Sequence, residues 1–210
     1  MNSYVVLLSS GLDSTVNLYA AAREGAVKIA LTFDYGQRAA PQEIEHSRRL
    51  CEKLKIPHKI IALPWLREIT ATSLVNRDAD VPVGSDVNVD SHAQSSVTAK
   101  RVWVPNRNGA FLNIAAAFAE SMGANFVVPG FNLEEAATFP DNTVDFMKAM
   151  DVSLQYSTAS NVRTKCFTHS MNKIEIVKLG RELGVDFSLV WPCYFAGPAL
   201  CEKCESCQRY

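Results

Sequence analysis

Short β-branched runs alternate with helical stretches along most of the 210 residues, and no other feature narrows the choice of fold as much. Tyr4 to Leu8 reads as a strand. Thr15 to Arg23 reads as a helix with Val16, Tyr19 and Ala20 on one face. Val27 to Phe33 is a second strand, Pro41 to Leu54 a helix opened by a proline, and Lys59 to Leu63 a third strand. A helix between two strands carries the chain back across the sheet, so the strands it joins lie parallel. The expected architecture is α/β, a doubly wound and mostly parallel sheet. Pro57 falls just before the third strand, where its missing N–H costs no ladder bond.

The pattern weakens from 64 to 101. Asp78 to Ser85 is rich in breakers and Asp86 to Ser96 is polar, which predicts an extended loop or small subdomain acting as a lid or insertion. Order returns at Val102, followed by a helix from Asn108 to Met122 carrying Phe111, Ile114, Ala115 and Phe118. Asn125 to Pro129 reads as a strand and Gly130 to Pro140 as a loop. Thr143 to Tyr156 is a helix capped by its threonine, and Asn161 to Thr168 a fifth strand. Lys173 to Leu183 is a helix stopped by Gly184. The division expected is an α/β domain over 1–190 and a separate tail over 191–210.

Cys193, Cys201, Cys204 and Cys207 crowd into that tail, in a chain with six cysteines. Two C-x-x-C steps share Cys204. Such spacing suits the four soft ligands of a tetrahedral metal such as zinc. The competing reading is a pair of disulfides. No stretch approaches the roughly 20 apolar residues of a membrane span, and Met1 to Tyr4 runs into a strand without a leader pattern. A cytoplasmic location is therefore expected, and with it reduced thiols and metal. A closed four-thiolate site has no open position, so its role would be structural. Cys51 and Cys166 stand apart as ordinary buried thiols. A formal net charge of -1 supplies no global basic field for nucleic acid.

Between the first strand and first helix lies Ser9-Ser10-Gly11-Leu12-Asp13-Ser14. Ligands of open α/β sheets bind beyond the carboxyl ends of strands. Small residues there aim backbone N–H groups one way, and the helix N-terminus adds partial positive charge. Gly11 permits positive φ or a close backbone approach. Asp13 or Ser14 offers a helix cap. Neither the Walker A pattern nor G-x-G-x-x-G is present. The run S-x-G-x-D-S instead resembles the pyrophosphate loop of the ATP pyrophosphatase (PP-loop) superfamily, whose members cleave ATP between the α and β phosphates. That superfamily usually has glycine where Ser10 stands.

Further stretches resemble one branch of it: Thr32-Phe33-Asp34-Tyr35-Gly36-Gln37, Val104-Pro105-Asn106-Arg107-Asn108, Gly130-Phe131-Asn132, Phe139-Pro140-Asp141, Lys173-Ile174-Glu175 and the four cysteines. This ordered set is similar to the 7-cyano-7-deazaguanine synthases of queuosine-precursor biosynthesis. The resemblance implies a carbon–nitrogen ligase that turns 7-carboxy-7-deazaguanine and ammonium into the nitrile by adenylation through an amide, releasing AMP and pyrophosphate. It implies ATP with Mg²⁺, one structural zinc, small-molecule partners, no direct nucleic-acid contact and a homodimer. It places ATP against Leu8, Ser9, Ser10, Gly11, Leu12, Asp13, Ser14 and Thr15, with Asp34 and Tyr35 bordering the adenosine. Asp13, Arg107 and Lys173 would be catalytic. Arg107, Asn108, Phe139 and Asp141 would hold the substrate. Each has a plainer reading as cap, turn, surface or core residue. His46, His58, His92 and His169 match no motif and read as surface or structural. The competing functions are another PP-loop ligase acting on a different carboxylate, RNA or protein, and a zinc-dependent nucleic-acid-binding module.

Overall fold

The computed structural model describes residues 1–84 and 100–210. Its strands are β1 (Ser3–Leu7), β2 (Ala26–Asp34), β3 (His58–Ala62), β4 (Phe126–Val128) and β5 (Arg163–Thr164). The helices are α1 (Leu12–Glu24), α2 (Ala40–Leu54), α3 (Pro64–Glu68), α4 (Arg107–Ser121), α5 (Leu133–Ala136), α6 (Val144–Ser157), α7 (Lys173–Leu183) and α8 (Glu205–Gln208). The strands form one sheet in the order β3-β2-β1-β4-β5, every neighbour parallel. The doubly wound parallel fold is thus as the alternation predicts.

Both faces of the sheet are covered, so strand residues of either parity are buried. Val5, Leu31 and Val127 face one core, with Leu112, Ala115 and Ala119 of α4 and Leu154 of α6. Tyr4, Val6 and Val128 face the other, with Val16 of α1, Leu50 of α2 and Ile176 of α7. Burying each Leu or Ile contributes about 1.5–3 kcal/mol. Order in the sheet reverses between β1 and β4, which opens a crevice at their carboxyl ends.

Several boundaries differ from the sequence reading. Helix α1 begins at Leu12, with Gly11 as N-cap and no side-chain cap, so neither Asp13 nor Ser14 caps it. Helix α4 begins at Arg107, directly after Asn106 in the left-handed region at φ 50, so Asn108 is inside the helix. The fifth strand shrinks to Arg163–Thr164. β4 ends at Val128 before Pro129, and beyond Lys165 the chain bonds through side chains: Thr168 Oγ1 donates to the Phe131 carbonyl at 2.6 Å and accepts from Asn17 Nδ2 at 2.6 Å. The stretches read as loops hold the short helices α3 and α5. The caps at Thr143 and Gly184 are as expected: Thr143 Oγ1 accepts from Phe146 N at 3.1 Å, and Gly184 has φ 74.

The tail is tied to the loop that follows the central strand β1. Trp191 N donates to the Ser10 carbonyl at 2.8 Å. Val83 bridges to Cys204 in antiparallel fashion, and Gly84 N donates to the Lys203 carbonyl at 2.9 Å. Val81, Trp191, Cys193 and Cys204 form a small buried cluster of their own. The segment before Gly84 therefore docks on the cysteine tail; Asp86 to Ser96 and His92 lie outside the described residues. Among the described residues no helix is long and apolar enough to cross a membrane.

Candidate active site

A cavity of about 280 Å³ opens at the β1/β4 crevice. Its floor is the Ser9–Ser14 loop. Ser14 Oγ accepts from Ser9 N at 3.2 Å and donates to the Gly11 carbonyl at 3.2 Å, closing the loop on itself. Ser9 and Ser14 hydroxyls lie 3.1 Å apart. Since no side chain caps α1, its first-turn N–H groups stay open for an anion. The left-handed residue of this loop is Ser10 at φ 57, whereas Gly11 sits at φ -63. Of the two readings of Gly11, positive φ is not the one the backbone takes. Ser10 carries that conformation with its Oγ donating to the Ser9 carbonyl at 2.6 Å, and a left-handed non-glycine costs about 1–2 kcal/mol.

Gly130, just past β4, is where the second strand of the crevice meets the loop. A Cβ there would lie 2.7 Å from Ser14 N and 2.8 Å from Ser14 Cα. Backbone on backbone leaves nothing that can rotate away, so only glycine allows this approach.

Lys173 enters from the first turn of α7. Asn172 fixes that start through a capping box with Glu175, and Lys173 N donates to Glu134 Oε1 at 2.8 Å. Lys173 Nζ lies 2.6 Å from Asp13 Oδ2 and 3.1 Å from Glu135 Oε1. Asn132 Nδ2 also donates to Asp13 Oδ2 at 3.2 Å, while its Oδ1 caps α5 at Glu135 N. Burial pushes the Asp13 carboxyl up to about 6, against the pull of Lys173. Burial would lower Lys173, but Glu135 and Asp13 outweigh it and hold the ammonium above its ordinary range. Asp13 Oδ1 is buried and has no hydrogen-bond partner among the described residues. A buried carboxylate oxygen without a donor costs on the order of 1–3 kcal/mol, and a hard cation such as Mg²⁺ is the ligand that suits it.

Arg107 faces the cavity from the start of α4. Its Nη1 donates to Tyr35 Oη at 3.3 Å and its Nε to Asn108 Oδ1 at 3.4 Å. Arg107 is half-buried, and Tyr35 and Asn108 are buried, which sets aside the surface reading of Arg107. Phe139 lines the cavity and stacks parallel on Trp103 at 6.3 Å.

The structure brings Leu8, Ser9, Gly11, Leu12, Asp13, Ser14, Tyr35, Arg107, Asn108, Phe139 and Lys173 into one cavity wall. Ser10, Thr15, Asp34 and Asp141 do not line it. Asp34 Oδ1 instead accepts from Gly36 N at 3.0 Å, and Asp141 Oδ1 accepts from Asn142 Nδ2 at 3.2 Å. The sequence reading missed Glu43, Asn132, Glu135, Glu205 and Arg209. An asparagine three residues before a glutamate, the spacing of a helix cap, was the available signal for Asn132 and Glu135. The three described histidines bond within the fold: His46 Nδ1 contacts the Leu189 carbonyl at 3.1 Å, His58 Nε2 contacts Thr32 Oγ1 at 2.8 Å and His169 Nδ1 contacts the Cys166 carbonyl at 2.8 Å.

The four tail sulfurs all lie within 4.8 Å of one another, with no disulfide. Cys201 and Cys207 Sγ are 3.8 Å apart, the separation of two thiolates each about 2.3 Å from a tetrahedral zinc. Lys203 N, Cys204 N and Phe195 N point at these sulfurs at 3.3–3.5 Å, as donors to thiolates do. The set fits a metal ion, and all four cysteines stand free of disulfides here.

Comparison with known proteins agrees over the whole chain. Residues 3–210 match the family described as queuosine biosynthesis protein QueC. A 7-cyano-7-deazaguanine synthase of Bdellovibrio bacteriovorus is 53% identical over 206 residues, 98% of this chain and 89% of that one. Its counterpart in Carboxydothermus hydrogenoformans is 48% identical over 209 residues, 100% of this chain and 96% of the relative. Among solved structures, a 4-thiouridine synthetase in complex with RNA and ATP has a TM-score of 0.56 at 19% identity, covering 95% of this chain and 46% of that one. The NMN synthetase of Francisella tularensis has a TM-score of 0.51 at 17% identity, covering 95% and 70%. These two share the fold. The Ser9–Ser14 loop in the β1/β4 crevice, the four-cysteine tail and a match running from Ser3 to Tyr210 place this chain in the QueC family of queuosine-biosynthesis proteins.

Proposed function

We propose that this chain is an ATP-dependent ligase that converts 7-carboxy-7-deazaguanine and ammonium to 7-cyano-7-deazaguanine. The observation that carries the reading is the near-full-length similarity, at about half identity, to 7-cyano-7-deazaguanine synthases. The open loop over α1 supplies the anion site that the chemistry needs.

A carboxylate oxygen leaves poorly, and adenylation makes it a leaving group. The carboxylate oxygen attacks the α-phosphorus, and the bond to the β-phosphate breaks to release pyrophosphate. Ammonia then adds to the acyl carbon, loses a proton and expels AMP, giving the amide. A second ATP adenylates the amide oxygen, and loss of the nitrogen's protons with expulsion of AMP leaves the nitrile. The protein's part is positioning and charge stabilisation. The first-turn N–H groups of α1 and the Ser9 and Ser14 hydroxyls receive the β,γ-phosphates. Asp13 and Glu135 would hold Mg²⁺, which neutralises phosphate charge when bound. Lys173, kept cationic by those carboxylates, sits where negative charge grows on the leaving pyrophosphate. Arg107 and Asn108 take the other side of the cavity. Phe139 offers an apolar face to a planar ring. Asp34 acts through the turn that presents Tyr35.

Cys193, Cys201, Cys204 and Cys207 would hold one zinc with no position left for water, so its contribution is to the fold. The tail of 191–210 is then a clamp on the domain formed by 1–190. The same reading carries a cytoplasmic location and a homodimer, which sedimentation velocity tests.

Gly130→Ala is expected to weaken ATP binding at least about tenfold by calorimetry, because the added Cβ pushes on the Ser14 backbone. Wild-type affinity in a folded Gly130→Ala variant would remove the Ser9–Ser14 loop from the ATP site. The assay for the function itself supplies the deazaguanine carboxylate, ammonium, ATP and Mg²⁺ and follows the product by mass; a deazaguanine nitrile supports the reading and its absence overturns it.

A further inference from the structure

Carboxyl groups of Asp13, Glu43, Glu135 and Glu205 line the cavity among the described residues. Asp13 and Glu135 share Lys173, and Glu205 pairs with Arg209 at 2.9 Å. Glu43 forms no ion pair among the described residues. Its one side-chain donor is the neutral amide of Gln37, whose Nε2 gives a hydrogen bond to Glu43 Oε2 at 2.8 Å.

Gln37 is itself held at both ends. Its Nε2 also donates to the Phe33 carbonyl at 2.9 Å, and its Oε1 accepts from Tyr35 N at 2.9 Å. The chain thus orients a half-buried carboxyl from the first turn of α2 toward the cavity, and Oε1 has no donor among the described residues. The same cavity is lined by the Phe33 and Phe111 rings, stacked on each other at 4.0 Å, an apolar surface for a flat heterocycle. Burial pushes the Glu43 carboxyl up to about 7, against the Gln37 bond and the more distant Arg107 and with the nearby Asp34 charge. A cavity-facing carboxylate oxygen with no protein donor suits a ligand that brings donors.

We propose that Glu43 reads the heterocycle of the substrate, its two oxygens accepting the ring N1–H and the exocyclic 2-amino group of the 7-deazaguanine. This rests on the function proposed above and assigns the substrate edge to a residue of α2 in place of Asp141, which lies off the cavity. A guanine-like edge presents two adjacent donors, the match for a carboxylate. An adenine edge presents one donor beside a lone pair, which a carboxylate repels, so the nucleotide is the poorer occupant. Gln37 is the positioning residue.

The test measures steady-state parameters of wild type and Glu43→Gln with the deazaguanine carboxylate and with its analogue lacking the 2-amino group. Glu43→Gln should raise KM for the substrate about 30–100-fold, with kcat and KM for ATP within about threefold of wild type. The wild type should lose at least about tenfold on the analogue, and Glu43→Gln little more. Because the analogue arm uses the unaltered protein, it stands even where the variant folds poorly. An unchanged substrate KM, a rise confined to ATP, or equal analogue penalties in the two proteins each overturn the role of Glu43. No turnover of the deazaguanine by wild type overturns the proposed function as well, so the two failures are told apart.

Discussion

Lys173→Met is expected to lower ATP–pyrophosphate exchange about 10²–10³-fold, the loss typical of removing one charge-stabilising donor from a buried site. The substitution also strips the cation from Asp13 and Glu135, which stand 2.6 and 3.1 Å from Nζ. Breaking a buried pair costs about 3–5 kcal/mol, so a fall in Tm should accompany the loss. A double variant separates the effects. Asp13→Asn with Lys173→Met removes charge of both signs and should recover part of the Tm, while exchange stays at the level of the single variant. Recovered exchange in the double variant means that Lys173 acts only as a counter-ion to Asp13.

Cys204→Ser should lower stability by a similar amount. Cys204 is buried among its three partners, donates its N–H to Cys201 Sγ at 3.3 Å and bridges to Val83. Metal bound to the native state is folding free energy. Losing about 4 kcal/mol of it lowers Tm by about 8–16 °C at this size. Zinc measured by plasma mass spectrometry should fall from one per chain to a small fraction. The damage should reach the ATP site, because Trp191, two residues before Cys193, holds the Ser10 carbonyl. A variant that keeps wild-type Tm and ATP affinity without zinc contradicts the clamp.

The sheet was legible in the sequence because alternation of strands and helices is a local pattern that forces parallel pairing. The cysteine cluster was legible because its four thiols lie within fifteen positions, Cys193 to Cys207. Both signals are short-range. The contacts that turn the loop into a site are not. Asp13 and Lys173 are 160 residues apart, and no spacing rule connects them; each carried a plain alternative as cap or solvated lysine until the fold put them 2.6 Å apart. Glu43 looked like any acid in a first turn, where the helix dipole favours it. Its cavity-facing position depends on Gln37, which depends in turn on how the β2 end bends at Phe33 and Tyr35. Asp141 shows the opposite case. Its residue type suited the substrate's donors, but the chain turns its carboxylate onto Asn142. Ser10 shows why a motif position is conformational: the left-handed backbone belongs one residue earlier than the glycine in this chain.

The proposed chemistry activates a carboxylate as an adenylate in this cavity and carries it through to a nitrile. Its most direct measurement is a quantitative product analysis after turnover of 7-carboxy-7-deazaguanine with ammonium, ATP and Mg²⁺. The account predicts 7-cyano-7-deazaguanine with two AMP and two pyrophosphate formed per nitrile, and a transient amide that disappears as the nitrile grows. ADP and phosphate in place of AMP and pyrophosphate, or an amide that accumulates as the end product, contradicts it.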